Sequence, residues 1–373
     1  IETSQWIYYK PITSLADDSS GAKGLVNHLV YSMFNQIDVY FNQKLVSPPN
    51  NAYVFCAYIV MLVNYASPAK TSHLTSCLWD ADIPGYMNDT LDASNPNTAL
   101  EIRAQYIRGN HALDLISHLH CDVFNQDKFL NNRVEVRMRL VRSKNLFCLM
   151  ESKTLSKIRI LDASLLVRKA KISSGVLLAH ARMLSKPTAK YPLTRTKVKT
   201  FTIHSDVVGE SIDNAILGQL PKRIIVGFVS RRLMVRKLNP FNSKNYGINF
   251  FSLYADGMQI PSRPIQPNFS KNELYIEAYH TLFSGTGIHF LNEGNSISRD
   301  DYANGYTLFA FDVTPDLFAN CAGHWNLVKR GSLRLEVRFE KALSVTINCI
   351  VYAKFDNVLE IDSSRQVIVD FSN

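Results

Sequence analysis

Ile37-Asp38-Val39-Tyr40-Phe41-Asn42-Gln43-Lys44-Leu45-Val46-Ser47-Pro48 reads as an alternating strand, a two-residue polar turn, a short second strand and a proline stop. The same pattern returns as Phe251-Ser252-Leu253-Tyr254-Ala255-Asp256-Gly257-Met258-Gln259-Ile260-Pro261-Ser262. Asp256-Gly257 is a strong signal for a tight hairpin, because both central positions of that turn take positive φ. Asn42-Gln43 is a weaker form of the same signal. The turns stand 214 residues apart, from 42 to 256.

Three further echoes follow in the same order. Cys121-Asp122-Val123-Phe124 is matched by Phe311-Asp312-Val313-Thr314, an offset of 190 from Asp122 to Asp312. Val134-Glu135-Val136-Arg137-Met138-Arg139-Leu140 is matched by Leu333-Arg334-Leu335-Glu336-Val337-Arg338-Phe339, an offset of 199 from Val134 to Leu333. The β-rich run from Lys157 to Ile172 is matched by the run from Val345 to Ile361. Four echoes at offsets near half of 373 residues predict two copies of one β-domain with loops of different lengths. The segment from Ser185 to Arg195 holds Pro187 and Pro192 and few large apolar residues, and reads as the linker. Domains are therefore expected at 1–190 and 191–373.

The coarse reading is strand-rich. Val134, Val136, Met138 and Leu140 alternate with Glu135, Arg137 and Arg139, which predicts a half-buried strand. Tyr53 to Tyr65 is an apolar run of 13 residues after Pro48-Pro49-Asn50-Asn51. Its length favours a buried helix of about three turns, although its β-branched residues leave a strand open. Residues 111–121 read as strand or short helix. Gly285-Thr286-Gly287 and Asp300 to Gly305 read as turns. Many short strands with Gly, Pro and Asn turns predict a sandwich or barrel, here two in tandem.

The bulk numbers fit two packed domains. The chain is 46% hydrophobic, with 20 Phe and 17 Tyr, enough to fill two cores. Its net charge of +9 is uneven: sixteen Lys or Arg and three acids fall between Arg133 and Lys197. Such a surface suits phosphate, an anionic membrane or an acidic partner, or is simply a set of solvated strand faces. The six cysteines lack a Cys-x-x-Cys pair and read as reduced thiols of a cytosolic or nuclear protein. The longest apolar run is short of the ~20 residues of a spanning helix, so a soluble protein is expected. No signal peptide is visible, and the Ile1 start implies that the natural N-terminus precedes this numbering.

No constellation reads as an active site. His118-Leu119-His120-Cys121 puts two histidines on one face of a strand and the cysteine on the other, without the second ligand pair of a tetrahedral zinc site. Gly285-Thr286-Gly287 lacks the following Lys-Ser/Thr of a phosphate loop. Asp312 and Asp316 straddle a proline in β-context. Asp356, Glu360, Asp362 and Asp370 read as a solvated face or a subunit contact. No enzyme, cofactor or metal is expected.

Longer strings carry a family resemblance. Phe34-Asn35-Gln36-Ile37-Asp38-Val39 with Asn42 to Pro48 resembles the first-domain hairpin of major capsid proteins from Polinton (Maverick) elements, adintoviruses and their relatives. So do Gly218-Gln219-Leu220-Pro221-Lys222-Arg223, Asn239-Pro240-Phe241-Asn242, Thr281-Leu282-Phe283-Ser284-Gly285-Thr286-Gly287 and Phe355-Asp356-Asn357-Val358-Leu359-Glu360-Ile361-Asp362. The resemblance spans nearly the whole chain. It implies an all-β fold of two tandem jelly-roll β-sandwiches, a double jelly roll, with a few short helices in loops. It also implies a homotrimer with pseudo-hexagonal outline, because three two-domain subunits present six similar sandwiches. Such trimers contact neighbouring capsomers and a penton (minor capsid) protein in an icosahedral virion, possess no catalytic role and enclose double-stranded DNA. An inner membrane is left open, and assembly is expected in the host nucleus or cytoplasm.

Two departures from the family pattern stand out. The Tyr53–Tyr65 segment is almost uncharged, and the loop at 230–238 is short and basic. They raise the alternative of a domesticated, capsid-derived particle protein; a tandem β-sandwich binding module is the other. The hairpin-turn residues are Asn42, Gln43, Asp256 and Gly257. The candidate basic inner or inter-capsomer surface is Arg137, Arg139, Arg231, Arg232, Arg236 and Lys237.

Overall fold

The computed structural model describes residues 3–9, 24–48, 51–91, 97–150, 156–185, 187–231, 238–270, 273–288, 291–317, 319 and 329–369. In the first half the strands are β1 (Thr3–Tyr9), β2 (Gly24–Leu25), β3 (Phe34–Phe41), β4 (Lys44–Leu45), β5 (Val136–Arg142), β6 (Leu149–Met150) and β7 (Leu165–Lys171). The second half holds β8 (Ala189–Ile203), β9 (Gly209–Gln219), β10 (Arg223–Ser230), β11 (Ile248–Ala255), β12 (Met258–Ile265), β13 (Leu308–Asp312), β14 (Arg330–Phe339), β15 (Ile347–Ile361) and β16 (Val367–Val369). Helices are short: α1 (Leu29–Ser32), α2 (Tyr53–Asn64), α3 (Ser67–Lys70), α4 (Thr98–Gln105), α5 (Asn145–Cys148), α6 (Ser174–Met183), α7 (Ile276–Ser284) and α8 (Arg299–Ala303). All strand pairs are antiparallel.

The second half forms two facing sheets. One runs β13-β10-β15-β16, with β8 also on β15, and the other runs β12-β11-β14-β9. This is the two-sheet arrangement of a jelly roll. Phe251 of β11 stacks on Phe309 and Phe311 of β13 at 4.4 and 5.6 Å, so aromatic rings from both sheets fill the space between them.

The first half repeats these pairings in shorter form: β4-β3-β5, β2-β6 and β1-β7. The correspondence extends to single atoms at the two hairpins. Asn42 and Gln43 have φ of 46° and 68°, and Asp256 and Gly257 have φ of 50° and 79°. The Glu135 N–H donates to Asn42 Oδ1 at 2.7 Å, and the Ser332 N–H to Asp256 Oδ1 at 2.8 Å. Arg137 lies over the ring of its cross-strand partner Tyr40 at 4.4 Å, and Arg334 over Tyr254 at 4.2 Å. Gly331 makes room for this turn, since a Cβ there would stand 1.9 Å from Asp256 Oδ1.

The ladders correct the sequence register. Phe41 faces Val136 and Ala255 faces Leu333, so the repeat runs at 197 residues in this strand, from 136 to 333, and not at 199. A two-residue slip keeps every side chain on its face, so alternation could not detect it. The expectation of a half-buried strand holds in part, since Val134 and Met138 pack partly buried against the core. Among the described residues β5 pairs with β3 alone, and Val136 and Leu140 are each 45% exposed, whereas Leu333 and Val337 are buried.

Other expectations shift for identifiable reasons. Most of the expected linker is strand: β8 begins at Ala189 and pairs with β15 throughout. Pro192 is tolerated there because β8 is an edge strand. Strand β12 runs through Pro261 and Pro264 for the same reason, so Pro261 is not a stop. Residues 111–121 form neither helix nor strand. Arg299–Ala303 is a short helix closed by a Ser298–Asp301 capping box, where only turns were expected.

The run from Tyr53 is the helix α2, and nine of its twelve residues are buried. Phe55, Tyr58, Ile59 and Leu62 face Gly227, Val229, Phe241 and Leu308 of the second half across a small apolar gap. This explains the unbroken apolar sequence of β10, whose Ile224 to Val229 are buried by the facing sheet on one side and α2 on the other. The hairpin device gives a direct prediction. Asp256→Ala should cost about 1–2 kcal/mol in urea unfolding, through the lost acceptor and a disfavoured left-handed residue, while Asp256→Asn should cost less than about 0.5 kcal/mol.

Candidate interaction surface

The predicted basic residues divide between separate sheets. Arg137 and Arg139 are exposed on one face of β5 in the β4-β3-β5 sheet. Arg231 is exposed just after β10, and its N–H donates to the Thr346 carbonyl at 3.1 Å. Arg232, Arg236 and Lys237 lie outside the described residues. The turn residue Asn42 has a further contact, because its Nδ2 donates to the Arg365 carbonyl at 2.6 Å and so ties the first hairpin to the second half.

The acids singled out in the sequence are engaged in structural contacts. Asp356 pairs with Lys222 at 2.5 Å and Glu360 with Lys190 at 3.6 Å. Asp362 accepts the Gln366 N–H at 2.8 Å, and Asp312 accepts from Thr314 and Ala319 at a chain turn. Asp370 lies outside the described residues. Among the described residues, no cluster of three or more His, Cys, Asp or Glu could hold a metal ion. Burial pushes the thiols of Cys77, Cys121 and Cys148 up to about 11, 12 and 12, which leaves them protonated and unreactive at neutral pH. Among the described residues, no helix is long and apolar enough to cross a membrane.

The polar centre of the molecule was not anticipated. Arg103 on α4 is fully buried and pairs with Asp82 at 2.5 Å. Its Nε donates to the Leu25 carbonyl at 2.8 Å and its Nη1 to the Asp80 carbonyl at 2.5 Å. The other Asp82 oxygen accepts from Asn239 Nδ2 at 2.8 Å, and the Asp82 carbonyl accepts from the Tyr306 hydroxyl at 2.7 Å. One carboxylate thus holds groups from both halves. In the sequence, Asp82 sits among polar loop residues, and no local pattern links it to partners as distant as Asn239 and Tyr306.

A second buried junction joins Asp122 to β8, where its Oδ2 accepts the Thr196 N–H at 3.0 Å. Burial raises the Asp122 carboxyl to about 7, against the opposing pull of Arg195 and Lys354. Burial likewise lowers Lys354 to about 8. A buried cation also serves α7: Arg223 Nε and Nη2 donate to the Gly285 and Thr286 carbonyls at 2.8 and 2.9 Å, closing the helix's negative end.

The exposed apolar groups concentrate in the first half. Trp6 and Tyr8 on β1 are 58% and 68% exposed, and α6 has no buried residue. A folded domain that leaves such faces open presents surface for association.

No protein-family model matches the chain. It is 24% identical over 355 residues to an uncharacterized Caenorhabditis elegans protein, F54H12.2, covering 92% of this chain and 81% of the relative. Among solved structures it is similar to a subunit of the PBCV-1 virus capsid, with a TM-score of 0.56 at 8% identity over 100% of this chain and 97% of that one. A chain of the Sputnik virophage gives a TM-score of 0.56 at 10% identity, covering 99% and 81%. The mavirus major capsid protein gives 0.51 at 12% identity, covering 98% and 82%. The likeness is one of fold: a mostly antiparallel β chain that resembles double jelly-roll capsid proteins from end to end.

The Asp82 centre predicts strong coupling between the halves. Asp82→Ala leaves Arg103 as an unpaired buried cation and should cost about 3–5 kcal/mol. Calorimetry is expected to show a lowered melting temperature.

Proposed function

We propose that this chain is a major capsid protein that assembles as a homotrimer of pseudo-hexagonal outline. The observation that carries the reading is end-to-end likeness to the PBCV-1 subunit, covering 97% of that chain, combined with the repeated hairpin device in both halves. Three such chains offer six related sandwiches to a lattice, which reconciles threefold symmetry with six neighbours. The open apolar groups of the first half supply area to bury on assembly, at about 25 cal/mol per Å² before association costs. In this reading the shell encloses double-stranded DNA, a penton protein fills the vertices, and the chain acts in the virion as structure and not as catalyst. The motif resemblance directs the assignment to Polinton (Maverick) or adintovirus-like elements.

A second reading has its own support. The sequence relative is a protein of an animal, Caenorhabditis elegans, which favours an endogenous or domesticated capsid-derived chain that forms particles without a viral genome. Nucleic acid content of purified particles separates the two readings.

Negative-stain electron microscopy with mass measurement in solution tests the assembly. Hexagonal trimers or closed shells are expected; a strict monomer at high concentration would overturn the capsid reading. Arg137→Glu with Arg139→Glu is expected to weaken assembly or DNA retention while leaving the fold intact. Unchanged particles from this variant would remove β5 from the working surface.

A further inference from the structure

The centre of the first half contains an imidazole with no polar partner. His28 precedes α1 at φ 64° and is fully buried. Among the described residues, neither its Nδ1 nor its Nε2 has a hydrogen-bond partner. Its ring stacks on Tyr31 at 4.1 Å and meets Trp79 edge-on at 5.6 Å, with Tyr58 at 6.3 Å. A second imidazole, His120, lies 4.8 Å from the same Tyr31 ring, and its buried Nε2 is also unpartnered. Tyr31 therefore contacts both histidines.

The surroundings disfavour a positive charge on either ring. Tyr31 and Tyr58 carry neutral phenols, and Trp79 Nε1 is a donor that cannot receive a proton's hydrogen bond. Besides burial, what acts on His28 is His120, and what acts on His120 is His118, so the neighbouring titratable groups carry like charge. Around Tyr31 the further groups are Cys77, Tyr65 and Ser117; around Tyr58 they are Asp82 and Arg103, which are already paired with each other; beside Trp79 are Lys70, whose Nζ lies 5.7 Å from the ring centroid, and Asp80, whose N–H donates to Asn27. Burial lowers His28 well below its ordinary value and His120 to about 4. A histidine of lowered pKa binds fewer protons folded than unfolded. Its contribution is complete above the unfolded value of about 6.5 and is lost as pH falls through the window toward the folded value.

The position of the pair decides what it controls. The His28 N–H donates to the Leu78 carbonyl at 3.0 Å, and Asn27 Oδ1 accepts the Asp80 N–H at 2.9 Å. Leu25, three residues before His28, holds Arg103. Residues 24–33 are thereby clamped to the loop 78–80 at the edge of the Asp82 centre. Among the described residues, His28 is the only fully buried histidine, and the second-half sandwich has no counterpart.

We propose that His28 and His120 form a proton-operated latch: neutral, they seal residues 24–33 against the loop 78–80, and protonated, they release that segment and open the first half while the second-half sandwich stays folded. Asp122 works with the opposite sign. Its raised pKa means that the folded state takes up a proton between the unfolded value of about 4 and about 7, so its contribution favours folding as pH falls. Asp80, in the clamped loop itself, is likewise raised by burial and acts with the same sign as Asp122, so the opening expected at acid pH is the histidine effect net of both acids.

Hydrogen exchange of the full-length chain at about pH 7.5 and about pH 5, corrected for intrinsic exchange, tests the latch. Peptides covering 24–33 and 73–80 are expected to lose protection by about ten-fold or more, while peptides covering 223–230 and 347–354 keep theirs. His28→Phe with His120→Phe preserves the ring stack without a titrating group and should retain protection at about pH 5. Equal wild-type protection of 24–33 at both pH values would overturn the proposal, as would a folded double variant that opens like wild type. If the double variant does not fold, the wild-type comparison alone decides. The latch belongs to the single chain, so its failure would leave the capsid reading untouched.

Discussion

Helix α2 is the constraint on which the rest of the structure depends. Its twelve residues, Tyr53 to Asn64, carry no charge, and nine are buried. A helix that is apolar on all sides must be covered on all sides. The second-half sandwich covers one face through Gly227, Val229 and Phe241, where Tyr58 stacks on Phe241 at 4.1 Å. The first half covers the other. Separating the halves would expose the face formed by Phe55, Tyr58, Ile59 and Leu62, so the two sandwiches are joined into one body with a continuous core. An almost uncharged sequence here is what a fully enclosed helix requires.

Apolar burial brings the halves together without fixing their relative position, because hydrophobic contact has little direction. The polar contacts supply direction. Asp82 is held by Arg103 and Asn97 within the first half and receives Asn239 from the second, so the Asn239 bond, with that of Tyr306 to the Asp82 carbonyl, is lost if the halves slide. Lys70 reaches across in the same way to the Asn295 carbonyl, and Asn42 to the Arg365 carbonyl. Buried groups of this kind contribute little net stability when satisfied but are costly to leave unpaired. Their effect is to make one arrangement of the halves much better than its neighbours.

The sequence disclosed what is local. Alternation and the Asp256-Gly257 turn identified the second hairpin, and the repeat made the weak Asn42-Gln43 turn credible. The apolar length of the Tyr53 run identified α2. What escaped notice depends on contacts between distant residues. Pro192 looked like a break because an edge strand and a linker share the same tolerance for proline. The two-residue slip in β5 was silent because both registers keep the same face. Asp82 looked like a loop residue because its partners Arg103, Asn239 and Tyr306 are spread along the chain. Arg137 and Arg139 were legible as a basic strand face, but their relation to Arg231 depends on how two separate sheets are arranged.

The asymmetry between the halves has a physical consequence. Leu333, Leu335 and Val337 of β14 are sealed by β9 and the opposing sheet, while Val136 and Leu140 of the equivalent β5 stay half in water. The repeated hairpin therefore sits in two environments, one finished within the chain and one left open. An isolated chain gains nothing from the open face, since exposed apolar area lowers solubility without adding stability. A chain that associates recovers that area at each contact, and the gain grows with the number of copies engaged. The second half is closed within the chain, whereas the first half keeps apolar area open to solvent. The latch proposed at His28 lies in that open half, in the same half of the chain as the exposed Val136 and Leu140.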